Sequence, residues 1–111
     1  MQSRRQKILY DNEKIRFFTD EIKERLGTNL KQLILFGSHA RGDYTDDSDY
    51  DFAVILSEKN VKSVNKIREI EVNFLDRFDE LTASLIYDEK EWKERLRLPI
   101  GINIEREGVR L

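Results

Sequence analysis

A chain of 111 residues has room for a single core, and 39% hydrophobic residues are enough to fill it. The absence of cysteine excludes disulfides, thiolate zinc sites and thiol nucleophiles, and no apolar run approaches the length of a membrane span. With 38% charged residues and a net charge of -2, the surface is dense in both signs and lacks the basic footprint of a protein that grips long nucleic acid.

The basic start, Met1 to Lys7, lacks the apolar stretch and cleavage site of a secretion signal. We therefore expect a cytoplasmic single domain over residues 1–111, with 1–10 a flexible basic terminus. From Asp11, which reads as an N-cap, Ile15, Phe18, Ile22 and Leu26 recur at helical spacing until Gly27 stops the helix. Leu33 to Phe36 reads as a short buried strand that ends at Gly37, and Phe52 to Leu56 as a second strand after a polar stretch. Val61, Val64, Ile67, Ile70, Phe74 and Phe78 form a long helical stripe. Glu80 to Tyr87 alternates, which predicts a strand with Leu81, Ala83, Leu85 and Tyr87 on one face and Glu80, Thr82 and Ser84 on the other, polar one, as in a half-covered sheet. Asp88 with Glu91 resembles a capping box for a helix carrying Trp92 and Leu96, which Pro99 ends. A last short helix from about Ile100 to Glu107 closes at Gly108. The order predicts an α/β domain: a small mixed sheet with helices packed on one face and the other open for chemistry.

The segment Leu33 to Leu56 carries that chemistry. A strand runs into Gly37-Ser38, where glycine lets backbone approach a phosphate, a helix start points N–H groups at it, and the Ser38 hydroxyl adds a donor. Asp49 and Asp51 lie two apart at the start of a strand, so both carboxylates project from one face and can bracket magnesium. Tyr50 and Phe52 point the other way, into the core. Arg41 reads as a tie between the loop and Asp43 or Asp47, with contact to phosphate the alternative, His39 as a side chain leaving the turn toward solvent, and Trp92 as core or interface packing.

Gly37-Ser38, ten intervening residues and then Asp49-x-Asp51 resemble the signature of the DNA polymerase beta-type nucleotidyltransferase superfamily. The string GSHARGDYTDDSDYDFAVI and the ending NIEREGVRL are similar to its minimal nucleotidyltransferase branch, and the likeness covers nearly the whole chain. It implies the polymerase beta-like fold, ATP or another nucleoside triphosphate on Gly37 and Ser38, and two magnesium ions on Asp49 and Asp51. It further implies nucleotidyl transfer to an acceptor hydroxyl. Members of this branch are often antitoxins that add AMP to a tyrosine of a helical HEPN-domain partner. The family's third carboxylate, the base for the attacking hydroxyl, falls here on Leu81. The alternation offers Glu80 in its place, Asp79 is a further candidate, and the absence of any third acid stays open. Without one, the alternative is a catalytically degenerate module that binds and neutralises a partner protein. The sequence leaves the acceptor, the preferred nucleotide and any oligomer open.

Overall fold

A computed structural model describes residues 3–111. Its centre is a four-stranded sheet in the order β3-β2-β1-β4, with β1 Leu30–Phe36, β2 Tyr50–Leu56, β3 Thr82–Asp88 and β4 Val109–Arg110. β1 runs antiparallel to both β2 and β4, while β2 and β3 are parallel. A parallel pair needs a crossover, and helix α4, Val61–Phe78, supplies it. β2 is covered on both sides, which is why Phe52 to Leu56 reads as unbroken apolar sequence rather than alternation.

Two helical layers cover the sheet. On the main face, α2 (Glu13–Leu26) and α4 bring Ile15, Phe18, Ile22, Ile67, Ile70 and Phe74 against Leu33, Leu35, Phe52, Val54 and Leu56. The rings of Phe18 and Phe52 stack there at 4.0 Å and 3°. On the other face, α5 (Glu89–Arg95) and α6 (Pro99–Glu107) seat Trp92 and Ile104 on Ile34, Ala53, Ile55 and Tyr87. The expectation of helices on one face alone is thus corrected, because Trp92 and Ile104 need burial and find it there. The end of this face around Asp49, Asp51, Leu81 and Ala83 lies beyond the cover of α5 and α6.

The basic N-terminal segment, expected to be loose, is helix α1 over Arg4–Asp11, with Met1 and Gln2 outside the described residues. Ser3 and Gln6 cap it reciprocally, and the Arg5 guanidinium donates to the Leu111 carbonyl at 2.9 and 3.0 Å. Asn12, not Asp11, caps α2 by accepting from the Ile15 N–H. Pro99 begins α6 rather than ending α5, a position where its missing N–H costs nothing. Gly101 lets α6 touch the end of α5, since a Cβ there would stand 1.9 Å from the Arg95 carbonyl oxygen. The capping box of Asp88 and Glu91 is present as read. Among the described residues no helix is long and apolar enough to cross a membrane.

Candidate functional site

β1 delivers the chain to Gly37, which turns at φ +73°, and a short helix α3, Ser38–Arg41, starts at once. The Gly37 carbonyl accepts from the N–H groups of Ala40 and Arg41 at 3.1 and 3.0 Å. No side chain caps α3, so its first N–H groups at Ser38 and His39 are offered to whatever lies over the turn.

Asp51 stands opposite Phe36 in the antiparallel register, which brings its carboxylate against the turn. A Cβ at position 37 would lie 2.3 Å from Asp51 Oδ2. Glycine is required here twice over, by its positive φ and by the acid pressed against it. Asp49, just ahead of β2, is exposed and projects from the same face, while Tyr50 and Phe52 are buried in the main core as expected. Partial burial first, and the Asp49 charge second, push the Asp51 carboxyl above its ordinary pKa, and His39 and Arg41 pull it back.

Neither acid takes a salt bridge among the described residues. The nearby Arg41 is engaged by Asp43 at 3.3 Å and by Glu107 at 3.0 Å, the first as the sequence suggests and the second joining the loop to α6. A desolvated carboxylate beside a second one, without a cation, is the donor set that a hard divalent ion satisfies. No group of three or more metal-ligating acids, histidines or cysteines forms among the described residues. The remaining positions around an ion would fall to substrate oxygens and water.

Among the described residues no third acid joins this pair. Ala83 is the register partner of Asp51, and the Leu81 carbonyl accepts the Tyr50 N–H at 3.0 Å. Both side chains share the face of the acids, with Leu81 55% exposed. The alternation of β3 holds, but its polar set is not on the open face: Ser84 and Ile86 lie under the main helices, while Leu85 and Tyr87 pack with Trp92 on the second face. Glu80, proposed as the third carboxylate, points to the main-face side and ion-pairs with Lys14 of α2. It lines a cleft of about 500 Å³ with Asn12, Lys14, His39, Tyr50 and Phe78. Asp79 closes α4 in the left-handed conformation, φ 54°, which makes it a helix cap.

His39 does not leave the turn toward solvent. Its ring is sandwiched between Tyr44 at 4.4 Å and Tyr50 at 3.7 Å, with Nε2 3.3 Å from the Ser48 carbonyl oxygen. The stack ties the loop after α3 to the strand that carries the acids. Sequence reasoning passed over Lys14 and Tyr44. Lys14 lies 66 residues from Glu80, so no local spacing marks the pair.

The model of the nucleotidyltransferase domain matches residues 15–109. A Methanocaldococcus jannaschii protein provisionally named protein adenylyltransferase MJ0141 is 32% identical over 96 residues, 86% of this chain and 92% of that protein. A second from the same organism, with the same provisional name and the number MJ0604, is 44% identical over 41 residues, 37% of this chain and 41% of its own. Among solved structures, a toxin-antitoxin complex with AMP-PNP superposes with a TM-score of 0.56 at 15% identity, over 89% of this chain and 72% of that one. A variant of the MntA-HpeT toxin-antitoxin superposes equally, TM-score 0.56 at 13% identity, over the same shares of 89% and 72%. Those two likenesses are of fold. Joined to the glycine turn and the acid pair, the match along residues 15–109 establishes that this chain belongs to the nucleotidyltransferase domain family.

Proposed function

We propose that this chain transfers the adenylyl group of ATP, with magnesium, to a hydroxyl of a partner protein. The observation that carries the reading is the contact of Asp51 with Gly37, which sets an acid pair without a salt bridge directly beside a turn whose first N–H groups no side chain caps. In this reading the Gly37-Ser38 turn and the Ser38 hydroxyl hold the phosphates, while Asp49 and Asp51 hold two magnesium ions. Magnesium there supplies neutralising charge for the triphosphate and for the pyrophosphate that departs. The acceptor oxygen bonds to the α-phosphorus as the bond to pyrophosphate breaks, and its proton passes to a base. Leu81 and Ala83 cannot serve as that base, and Glu80 faces away, so water or a group arriving with the acceptor takes it.

A protein acceptor is supported by the name of the M. jannaschii relatives, and a toxin partner by the toxin-antitoxin structures that share the fold. With the sequence resemblance, the acceptor is a tyrosine of a HEPN-domain toxin, and the chain is its antitoxin. A second reading, a module that neutralises its partner without catalysis, is favoured by the apolar pair Leu81 and Ala83 beside the acids. Incubation with labelled ATP, magnesium and a co-expressed HEPN-domain partner, followed by mass spectrometry, separates the two. Adenylylated tyrosine is expected. A bound partner that stays unlabelled would establish the second reading in place of the first.

A further inference from the structure

The two acids are held by unequal means. Asp51 belongs to β2 and is fixed by its pairing with Phe36 and Ala83 and by its contact with Gly37. Asp49 lies one residue ahead of β2, outside both registers, and is exposed. Its neighbours on both sides, by contrast, are tied to one side chain. The His39 Nε2–H donates to the Ser48 carbonyl at 3.3 Å, and the His39 ring lies flat on that of Tyr50, 3.7 Å and 10° apart. Tyr50 is a firm support, buried and edge-on to Phe74 at 5.5 Å. Ser48 closes a turn with Thr45, whose N–H donates to the Ser48 Oγ at 2.9 Å while its carbonyl accepts the Ser48 N–H at 3.0 Å. Tyr44, just ahead of that turn, covers the other side of the imidazole at 4.4 Å. Nδ1 is buried without a partner, so the Ser48 carbonyl is the ring's one hydrogen bond among the described residues.

The geometry points to His39 as the positioning residue for Asp49, holding that acid in place against the Gly37-Ser38 turn. This rests on the nucleotide reading above, in which Asp49 holds magnesium and the turn holds phosphate. The Ser48 carbonyl belongs to the planar peptide unit that enters Asp49, so the His39 bond limits rotation of that unit. The Tyr50 ring fixes the residue that follows. Side chains alternate along extended backbone, and with Tyr50 held in the main core Asp49 is directed to the opposite face, where Asp51 stands. His39 itself follows Ser38 in the first turn of α3. One short path, from Ser38 through His39 to the Ser48–Asp49 peptide, therefore sets the spacing between the glycine turn and the exposed acid. An acid ordered in advance spares the ion the entropy of ordering it.

Calorimetry of ATP binding across a range of magnesium concentrations tests the assignment on wild type, His39→Phe, His39→Gln and His39→Ala, with a melting curve for each. His39→Phe keeps a ring between Tyr44 and Tyr50 and drops the donor, while His39→Gln loses the stack and keeps an N–H within reach of Ser48. His39→Phe should melt near wild type yet need roughly fivefold more magnesium for half-maximal ATP binding, the loss of one neutral hydrogen bond. At saturating magnesium its ATP affinity should return close to that of wild type, because the turn is intact. His39→Gln should melt lower and keep more of the wild-type magnesium response than His39→Phe does. His39→Ala lacks ring and donor alike and should show the magnesium shift of His39→Phe; set against His39→Gln, it gives the same comparison should His39→Phe not fold. A stack that merely holds the loop predicts another order, with stability and magnesium response falling together and His39→Gln the worse in both. That order, or a His39→Phe variant that responds to magnesium as wild type does, overturns the proposal. So does a loss of ATP affinity that persists at saturating magnesium, which would place the effect of the ring on the turn instead of on Asp49. Wild type that binds ATP equally well without magnesium would sink the nucleotide reading itself, and this inference with it.

Discussion

At the scale of single residues, Gly37 and Asp51 explain each other. The strand register carries the carboxylate to the turn, and only a residue without a Cβ leaves space for it. Gly37→Ala should cost about 1–3 kcal/mol through the positive φ and the overlap, lower the melting temperature, and displace Asp51 enough to weaken magnesium binding. A variant that melts and binds magnesium as wild type does would remove the contact from the account. The raised pKa of Asp51 has its own consequence, with burial as the main cause and Asp49 as the second. The native protein without metal holds this proton more tightly than the unfolded chain does. The stability it contributes is therefore complete below the ordinary aspartate pKa of about 3.9 and fades as pH rises through the higher native value. Melting curves of the metal-free protein across that window should show a decline that Asp51→Asn flattens. Magnesium affinity should run the other way and fall as pH drops through the same window, because the ion needs the ionised acid.

At the scale of elements, legibility followed the source of the signal. α2, β1, β2 and α4 were readable because burial imposes a period, 3.6 on the helices and unbroken apolarity on a strand covered from both sides. α1 has no fully buried residue, so no stripe announced it; it is held by the Ser3 and Gln6 cap, the Arg5 bond to Leu111, and Ile8 and Leu9 half-buried against the core. β4 is two residues that become a strand only by pairing with Ile34 and Leu35. β3 was recognised as a strand, but its polar set Glu80, Thr82 and Ser84 was assigned to the open face and lies on the main-helix side. Its sequence offers two mixed sets, Leu81, Ala83, Leu85 and Tyr87 against Thr82, Ser84 and Ile86, and the position of the α4 crossover decides between them. That choice removed Glu80 from the acid pair. The cap of α5 was legible because Asp88 and Glu91 are local. Asp88→Ala should destabilise the domain by about 1 kcal/mol, read by urea unfolding, with magnesium-dependent ATP affinity unchanged. A loss of that affinity would mean that the α5 side of the sheet reaches the site.

At the scale of the molecule, one sheet supports two different jobs. The α2 and α4 layer supplies most of the core, while α5 and α6 cover the lower part of the second face and leave the end beside the glycine turn bare. The acids and the glycine turn meet at that end, brought there by β1 and β2. The central claim is that the bare end binds a nucleoside triphosphate through magnesium held by Asp49 and Asp51. Its most direct test is calorimetry of ATP binding to the wild-type chain with magnesium, with a chelator, and again with magnesium after Asp51→Asn. Binding is expected in the first condition and should be lost or greatly weakened in the other two. Equal affinity with and without magnesium, or an Asp51→Asn variant that binds as wild type does, would contradict the account.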